Sequence, residues 1–152
     1  MYQKNIYVLL FLMLILFILV TGCGPRRPTR YQTEGIVQID GVPLTGDFNG
    51  FVRFLSKEGK RPSVGKIDPK TGHFVLANYE TDDGCQPGDY YVEVVATNGD
   101  TKKVQHFVPP RYNDYKTSGL TQTVSGKKTD ITIHLEWKPS DAKYKGKYLP
   151  VH

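Results

Sequence analysis

Cysteine, tryptophan and methionine are scarce in these 152 residues, which hold two, one and two of them respectively. Two cysteines cannot staple a small domain, so a disulfide framework is excluded. Acid is missing from the start of the chain: all 15 Asp and Glu residues follow position 22, and the first is Glu34. There is one long apolar run, and it lies within those first 22 positions, which hold 17 of the 59 hydrophobic residues. The other 130 positions are 32% hydrophobic, enough for one modest core and too little for a set of membrane spans. A large multidomain enzyme is excluded by length, since one domain takes roughly 100–200 residues.

What is present begins with an export pattern. Lys4 precedes fifteen consecutive apolar or aromatic side chains, Ile6 to Val20, and then come Thr21, Gly22 and Cys23. A spanning helix needs about 20 such residues. A charged start, a short apolar middle and a small-residue end predict an export signal over residues 1–22; a single uncleaved anchor helix is the alternative. The residues Val20-Thr21-Gly22-Cys23 resemble the lipobox of bacterial lipoproteins. That resemblance implies cleavage after Gly22, a diacylglyceryl group on the Cys23 sulfur and an N-acyl chain on the new amino terminus. Two or three chains, at about 0.8 kcal/mol per buried CH₂, hold a protein on a membrane permanently, whereas one does so marginally. The expected address is therefore the bacterial cell envelope, at the outer membrane or a periplasm-facing membrane. Cys23 serves as lipid anchor, and no other cofactor is expected. Residues 23–31, with two prolines and Arg26, Arg27 and Arg30, predict an extended tether whose arginines suit anionic headgroups or simply keep it solvated.

From residue 32 to 137 the composition favours strands. After position 22 the chain has 12 Val, 5 Ile, 12 Thr and 14 aromatic residues against 6 Leu and 3 Ala, a balance suited to pleated, half-buried surfaces. Apolar residues alternate with others at Val37 and Ile39, at Val52 and Phe54, at Phe74 and Leu76, at Tyr90, Val92 and Val94, and at Ile131, Ile133, Leu135 and Trp137. A period of two places each set on one buried face. Turns fall between them at Asp40-Gly41-Val42-Pro43, at Asp68 to Gly72 and at Asn98-Gly99. Weaker strands are expected over 63–67 and 101–107, and no segment has a helical period with caps. The sum is an all-β, Greek-key type sandwich of about seven strands. With that odd number of strands the chain leaves at the end opposite the one where it arrives.

The succession Gly35-x-Val37-x-x-Asp40-Gly41-x-Pro43-Leu44, Val52-x-Phe54, Asp68-x-x-x-Gly72-x-Phe74-x-Leu76 and Pro87-Gly88-x-Tyr90-x-Val92-x-Val94 resembles the carboxypeptidase-regulatory-like, or transthyretin-like, β-sandwich. With Pro109-x-x-Tyr112-x-Asp114 and Ser118-Gly119-Leu120-Thr121-x-Thr123-Val124, it is similar to small envelope lipoproteins of planctomycete-type bacteria whose function is uncharacterised. Cys85 falls where a small buried residue is expected; an intermolecular disulfide is its alternative.

Catalytic chemistry finds no convergent set. His73, His106, His134 and His152 lack zinc-ligand spacing, and Ser118 lacks the nucleophile elbow. Asp82, Asp83 and Asp89 lack the ligand rhythm of a calcium loop and are expected as solvated turn carboxylates. The chain is thus expected not to be an enzyme; an accessory subunit of an envelope hydrolase, or such a hydrolase itself, is the alternative. Residues 31–137 carry 12 basic and 14 acidic side chains, so the net charge of +5 resides in the signal, the tether and the tail. Nucleic acid is excluded as a partner, because the fold itself is not basic. The tail, 138–152, together with Trp137 before it, interleaves the contact candidates Trp137, Tyr144 and Tyr148 with lysines, a pattern suited to sugars, a membrane surface or the covering of a sheet edge. The long loops, 78–89 and 108–124, are the expected contact regions. The second holds Tyr112, Tyr115 and Leu120, as either a plug over the core or a contact patch. Envelope proteins and cell-wall glycan are the candidate partners, with oligomeric state open.

Overall fold

The computed structural model describes residues 28–144. The expected signal segment, Cys23, Tyr148 and His152 lie outside the described residues. Strand β1 (Thr33–Ile39) is central to the first sheet. It pairs antiparallel with β2 (Val42–Pro43) and β5 (His73–Val75), and parallel with β8 (Lys128–Leu135). The second sheet has the order β4 (Ser63–Lys66), β3 (Asn49–Ser56), β6 (Gly88–Thr97), β7 (Leu120–Val124). The chain changes sheet four times, as a Greek-key type sandwich does and a meander does not.

The inward sets follow the alternation. Val37, Val52, Phe54, Phe74, Leu76, Tyr90, Val94 and Ile133 are buried in one cluster with Ile39, Val92, Ile131 and Leu135. Asp40 and Gly41 both have positive φ, 51° and 83°, the two left-handed positions of a tight hairpin between β1 and β2. Along one side the sheets are joined, because Val64 of β4 exchanges backbone hydrogen bonds of 2.8 and 2.9 Å with Ala77, just past β5.

The outward faces differ. On the first sheet Glu34, Gln38, His73, Thr132 and His134, with only Ile36 and Val75 apolar among them, alternate with the core positions. On the second, Phe51, Leu55, Val64, Tyr91 and Val95 surround an Arg53–Glu93 ion pair of 2.9 Å.

Because β1 and β8 run parallel, the chain arrives at one end of the sandwich and departs at the other. The tether end carries residues 57–62, 77–87 and 125–127; the far end carries 98–119 and 136–144. β8 stops at Leu135, so Trp137 does not extend its buried face but lies partly buried against the core, its backbone N–H on Asp40 Oδ1 at 3.1 Å.

Three expectations require correction. Residues 101–107 form no strand, and pairing there is limited to a single bridge between Thr97 and His106. Side chains take the backbone donors instead: Asn98 Oδ1 accepts from Asp100 and Gln105, and Asp100 Oδ1 from Lys102 and Lys103. Asn and Asp compete with strand pairing in this way. Leu120 is not a loop residue, since Leu120–Val124 is the edge strand β7. A helical turn also exists: α1 (Tyr115–Ser118) starts at Asp114, whose side chain accepts from the Lys116 N–H, and ends at Gly119 with φ 68°.

Candidate functional site

At the tether end, the last tether residues are docked and not extended in solvent. Tyr31 and Cys85 exchange backbone hydrogen bonds of 2.8 and 2.9 Å. Arg30 pairs with Asp83 at 3.1 Å and lies over the Tyr79 ring, 5.3 Å from its centroid. Asp83, expected as a solvated carboxylate, is an organiser of its loop: its oxygens accept from the backbone N–H groups of Asn78, Tyr79 and Glu80. Asp89 bonds Thr123 instead, so the three aspartates do not converge. Behind this loop Asn78 Nδ2 donates to Arg61 O, Pro62 O and Ser63 Oγ, Gln86 Nε2 donates to Asn78 Oδ1, and Tyr90 Oη donates to Gln86 O.

Cys85 is fully buried within this network. Desolvation pushes its thiol above the usual range, and desolvation together with the neighbouring Cys85 likewise raises the Tyr90 hydroxyl. Both are neutral at ordinary pH, which suits a buried thiol serving as a small hydrophobe, and among the described residues no sulfur is on the surface for an intermolecular disulfide.

The far end gathers most of the aromatic candidates. Tyr112 is the plug: 5% exposed, it packs into the core, and its hydroxyl accepts from Arg111 and from the Glu136 N–H. Pro110–Asn113 forms a short 3-10 turn that carries it there. Arg111 also pairs with Asp141, which lies on a second 3-10 turn, Pro139–Tyr144, and accepts from the Lys138 N–H. Hydrogen bonds to Tyr112 and Asp141 raise the already high Arg111 pKa despite some desolvation, so the charge is permanent.

The remaining candidates separate. Leu120 faces inward beside Phe54 and Val92, at the gap between β7 and β8. Tyr115 is 37% exposed, its ring 5.6 Å from that of Tyr91 and its N–H on Glu93 Oε1. It therefore belongs to the outward face of the second sheet. Tyr144, 39% exposed, sits edge-on to His106 with centroids 5.9 Å apart.

His106 and Tyr144 share a cavity of about 540 Å³ with Asn98, Lys103, Val104, Gln105 and Lys143. Of these, only Tyr144 was a candidate from sequence. Lys143 shares the tail's pattern of lysines beside aromatics, but no motif could have joined these two to residues 98–106, because 37 residues lie between His106 and Tyr144 and the departing chain alone brings them together.

The other catalytic candidates are dispersed. His73 pairs with Glu34 at 3.7 Å on one outward face, and His134 is exposed on the same sheet. The Ser118 hydroxyl is used locally, toward Tyr115 O and the Leu120 N–H. Among the described residues no group of three or more His, Cys, Asp or Glu side chains could hold a metal ion, and no helix is long and apolar enough to cross a membrane. No family model, curated protein or solved structure matches the chain.

Proposed function

We propose that the chain is a noncatalytic lipoprotein of the bacterial cell envelope, held by acyl chains on Cys23, whose sandwich serves in binding or structural assembly. The lipobox-like Val20-Thr21-Gly22-Cys23 after an apolar run supports the anchor. One observation supports presentation in particular. Arg30 and Tyr31 are fixed to one end of the sandwich, while the parallel β1–β8 pairing puts residues 136–144 at the other.

Six residues, 24–29, lie between Cys23 and the docked Arg30. A fully extended tether of that length spans roughly 20–25 Å. Anchoring at Cys23 thus keeps the tether end beside the bilayer and turns the far end outward. The two four-stranded sheets and the positive-φ turn at Asp40-Gly41 also suit the carboxypeptidase-regulatory-like sandwich that the sequence resembles.

The test is detergent phase partitioning of the full chain expressed in a bacterium that processes lipoproteins. The wild-type chain enters the detergent phase and Cys23→Ser stays in the aqueous phase. Retention of Cys23→Ser in detergent would show an uncleaved helix as the anchor and end the lipoprotein reading.

A further inference from the structure

We propose that the far-end cavity binds an acidic saccharide, with Lys103 and Lys143 meeting its anionic groups and Tyr144 packing against a sugar ring. This deepens the binding-module reading and rests on it. The cavity, about 540 Å³, has the size of small-ligand sites. Among the described residues its lining contains two lysines and a histidine and no carboxylate. Neither Lys103 nor Lys143 forms an ion pair among the described residues. The acids nearest in sequence, Asp141 and Asp100, do not line the cavity: Asp141 pairs with Arg111, and the Asp100 carboxylate accepts backbone N–H groups of Lys102 and Lys103.

His106 adds a second, independent observation: its Nδ1 is buried and has no hydrogen-bond partner. Buried polar atoms are nearly always paired, and His106 lines this cavity, so a small turn of its ring would offer that nitrogen to a ligand oxygen.

The rest of the lining suits a sugar better than a bare anion. Val104 is 51% exposed and Tyr144 39% exposed, which offers apolar surface beside the cations. Lys143 Nζ lies 4.8 Å from the Tyr144 ring centroid, so charge and aromatic face are adjacent. An amphipathic ligand with C–H faces and charged oxygens uses both. The frame is preorganised, because Asn98 clamps residues 98–105 through its amide: Nδ2 donates to Lys103 O, and Oδ1 accepts from Gln105 N. Position argues against a headgroup of the protein's own membrane, since the cavity is at the end away from the tether.

The test is calorimetric titration of the full chain in detergent micelles with a galacturonic acid trimer and, separately, with the neutral galactose trimer. The acidic trimer is expected to bind at least tenfold more tightly. Lys103→Gln with Lys143→Gln is expected to weaken it at least tenfold at unchanged melting temperature. Lys103→Arg with Lys143→Arg is expected to retain it, and Lys127→Gln with Lys128→Gln, at the opposite end, to have no effect. Failure of the acidic trimer to bind, equal affinity for both trimers, or indifference to the Lys103 and Lys143 changes overturns the proposal. Displacement of the trimer by equimolar inorganic phosphate overturns the saccharide assignment, because charge alone would then explain binding. In each of these cases Cys23→Ser still decides the anchor separately.

Discussion

The two ends of the sandwich are built by different means. At the tether end, buried amides and a carboxylate tie residues from three chain segments together: Asn78 reaches 61–63, Gln86 reaches Asn78, and Asp83 caps its own loop while holding Arg30. At the far end an aromatic plug, Tyr112, closes the core, and one ion pair, Arg111–Asp141, fastens the departing chain over it. Buried polar networks are rigid when satisfied and specify one arrangement; at the tether end the amides of Asn78 and Gln86 are satisfied, while Arg30 Nη1 is buried with no hydrogen-bond partner. An apolar plug under a partly exposed ion pair leaves neighbouring charges facing solvent. On the proposed function the tether end is the mount, and the far end presents exposed cations and rings.

The mount is the easier end to break. Gly84 has φ 84°, and an added Cβ would lie 2.0 Å from the Tyr31 carbonyl oxygen. Gly84→Val combines left-handed strain for a β-branched residue with displacement of the Tyr31–Cys85 bridge. The expected cost is about 4 kcal/mol, read as a lowered urea midpoint. Proteolysis after Arg30 should accelerate with it, because the tether is released. A midpoint within error of wild type would mean that Tyr31 does not hold the tether to the sandwich.

The plug gives the next effect. Tyr112→Ala removes a buried ring and is expected to cost about 3 kcal/mol. Tyr112→Phe keeps the ring but removes the acceptor for Arg111 and Glu136 N–H, and is expected to cost about 1 kcal/mol. If Tyr112→Ala were stable while losing a binding partner, the residue would be a contact patch and the contrast between the ends would fail.

The sequence disclosed the contrast unevenly. The inward sets on β1, β3, β6 and β8 were legible because burial on one face forces a period of two. The plug was half legible: Tyr112, Tyr115 and Leu120 in one loop pointed to either burial or contact, and the burial and hydroxyl partners of Tyr112 decide between them. β7 was hidden inside that loop, since its inward residues are Leu120, Gln122 and Val124, and a glutamine interrupts the apolar pattern. The false strand over 101–107 came from reading Asn98-Gly99 as a tight hairpin. Asn98 instead uses its side chain to span a wide loop. The docked tether was not legible, and of the cavity only the Lys143–Tyr144 side was, because both depend on residues brought together by the order of strands.

The smallest effect separates the ends by pH. Burial raises the Cys85 thiol, and burial with the neighbouring Cys85 raises the Tyr90 hydroxyl. The folded chain therefore holds these two protons to higher pH than the unfolded chain does. A raised folded value contributes stability that is complete below the unfolded value and lost as pH rises beyond it. For the thiol, whose ordinary value is about 9, stability should be flat from pH 6 to 8 and decline above pH 9. Cys85→Ala removes the thiol's share of that decline and leaves the share of Tyr90. Within the flat range a thiol reagent should label Cys85 only through opening of the tether end, so Gly84→Val should accelerate labelling and Tyr112→Ala should do so less. Equal acceleration by both would mean that the two ends open together, as one cooperative unit.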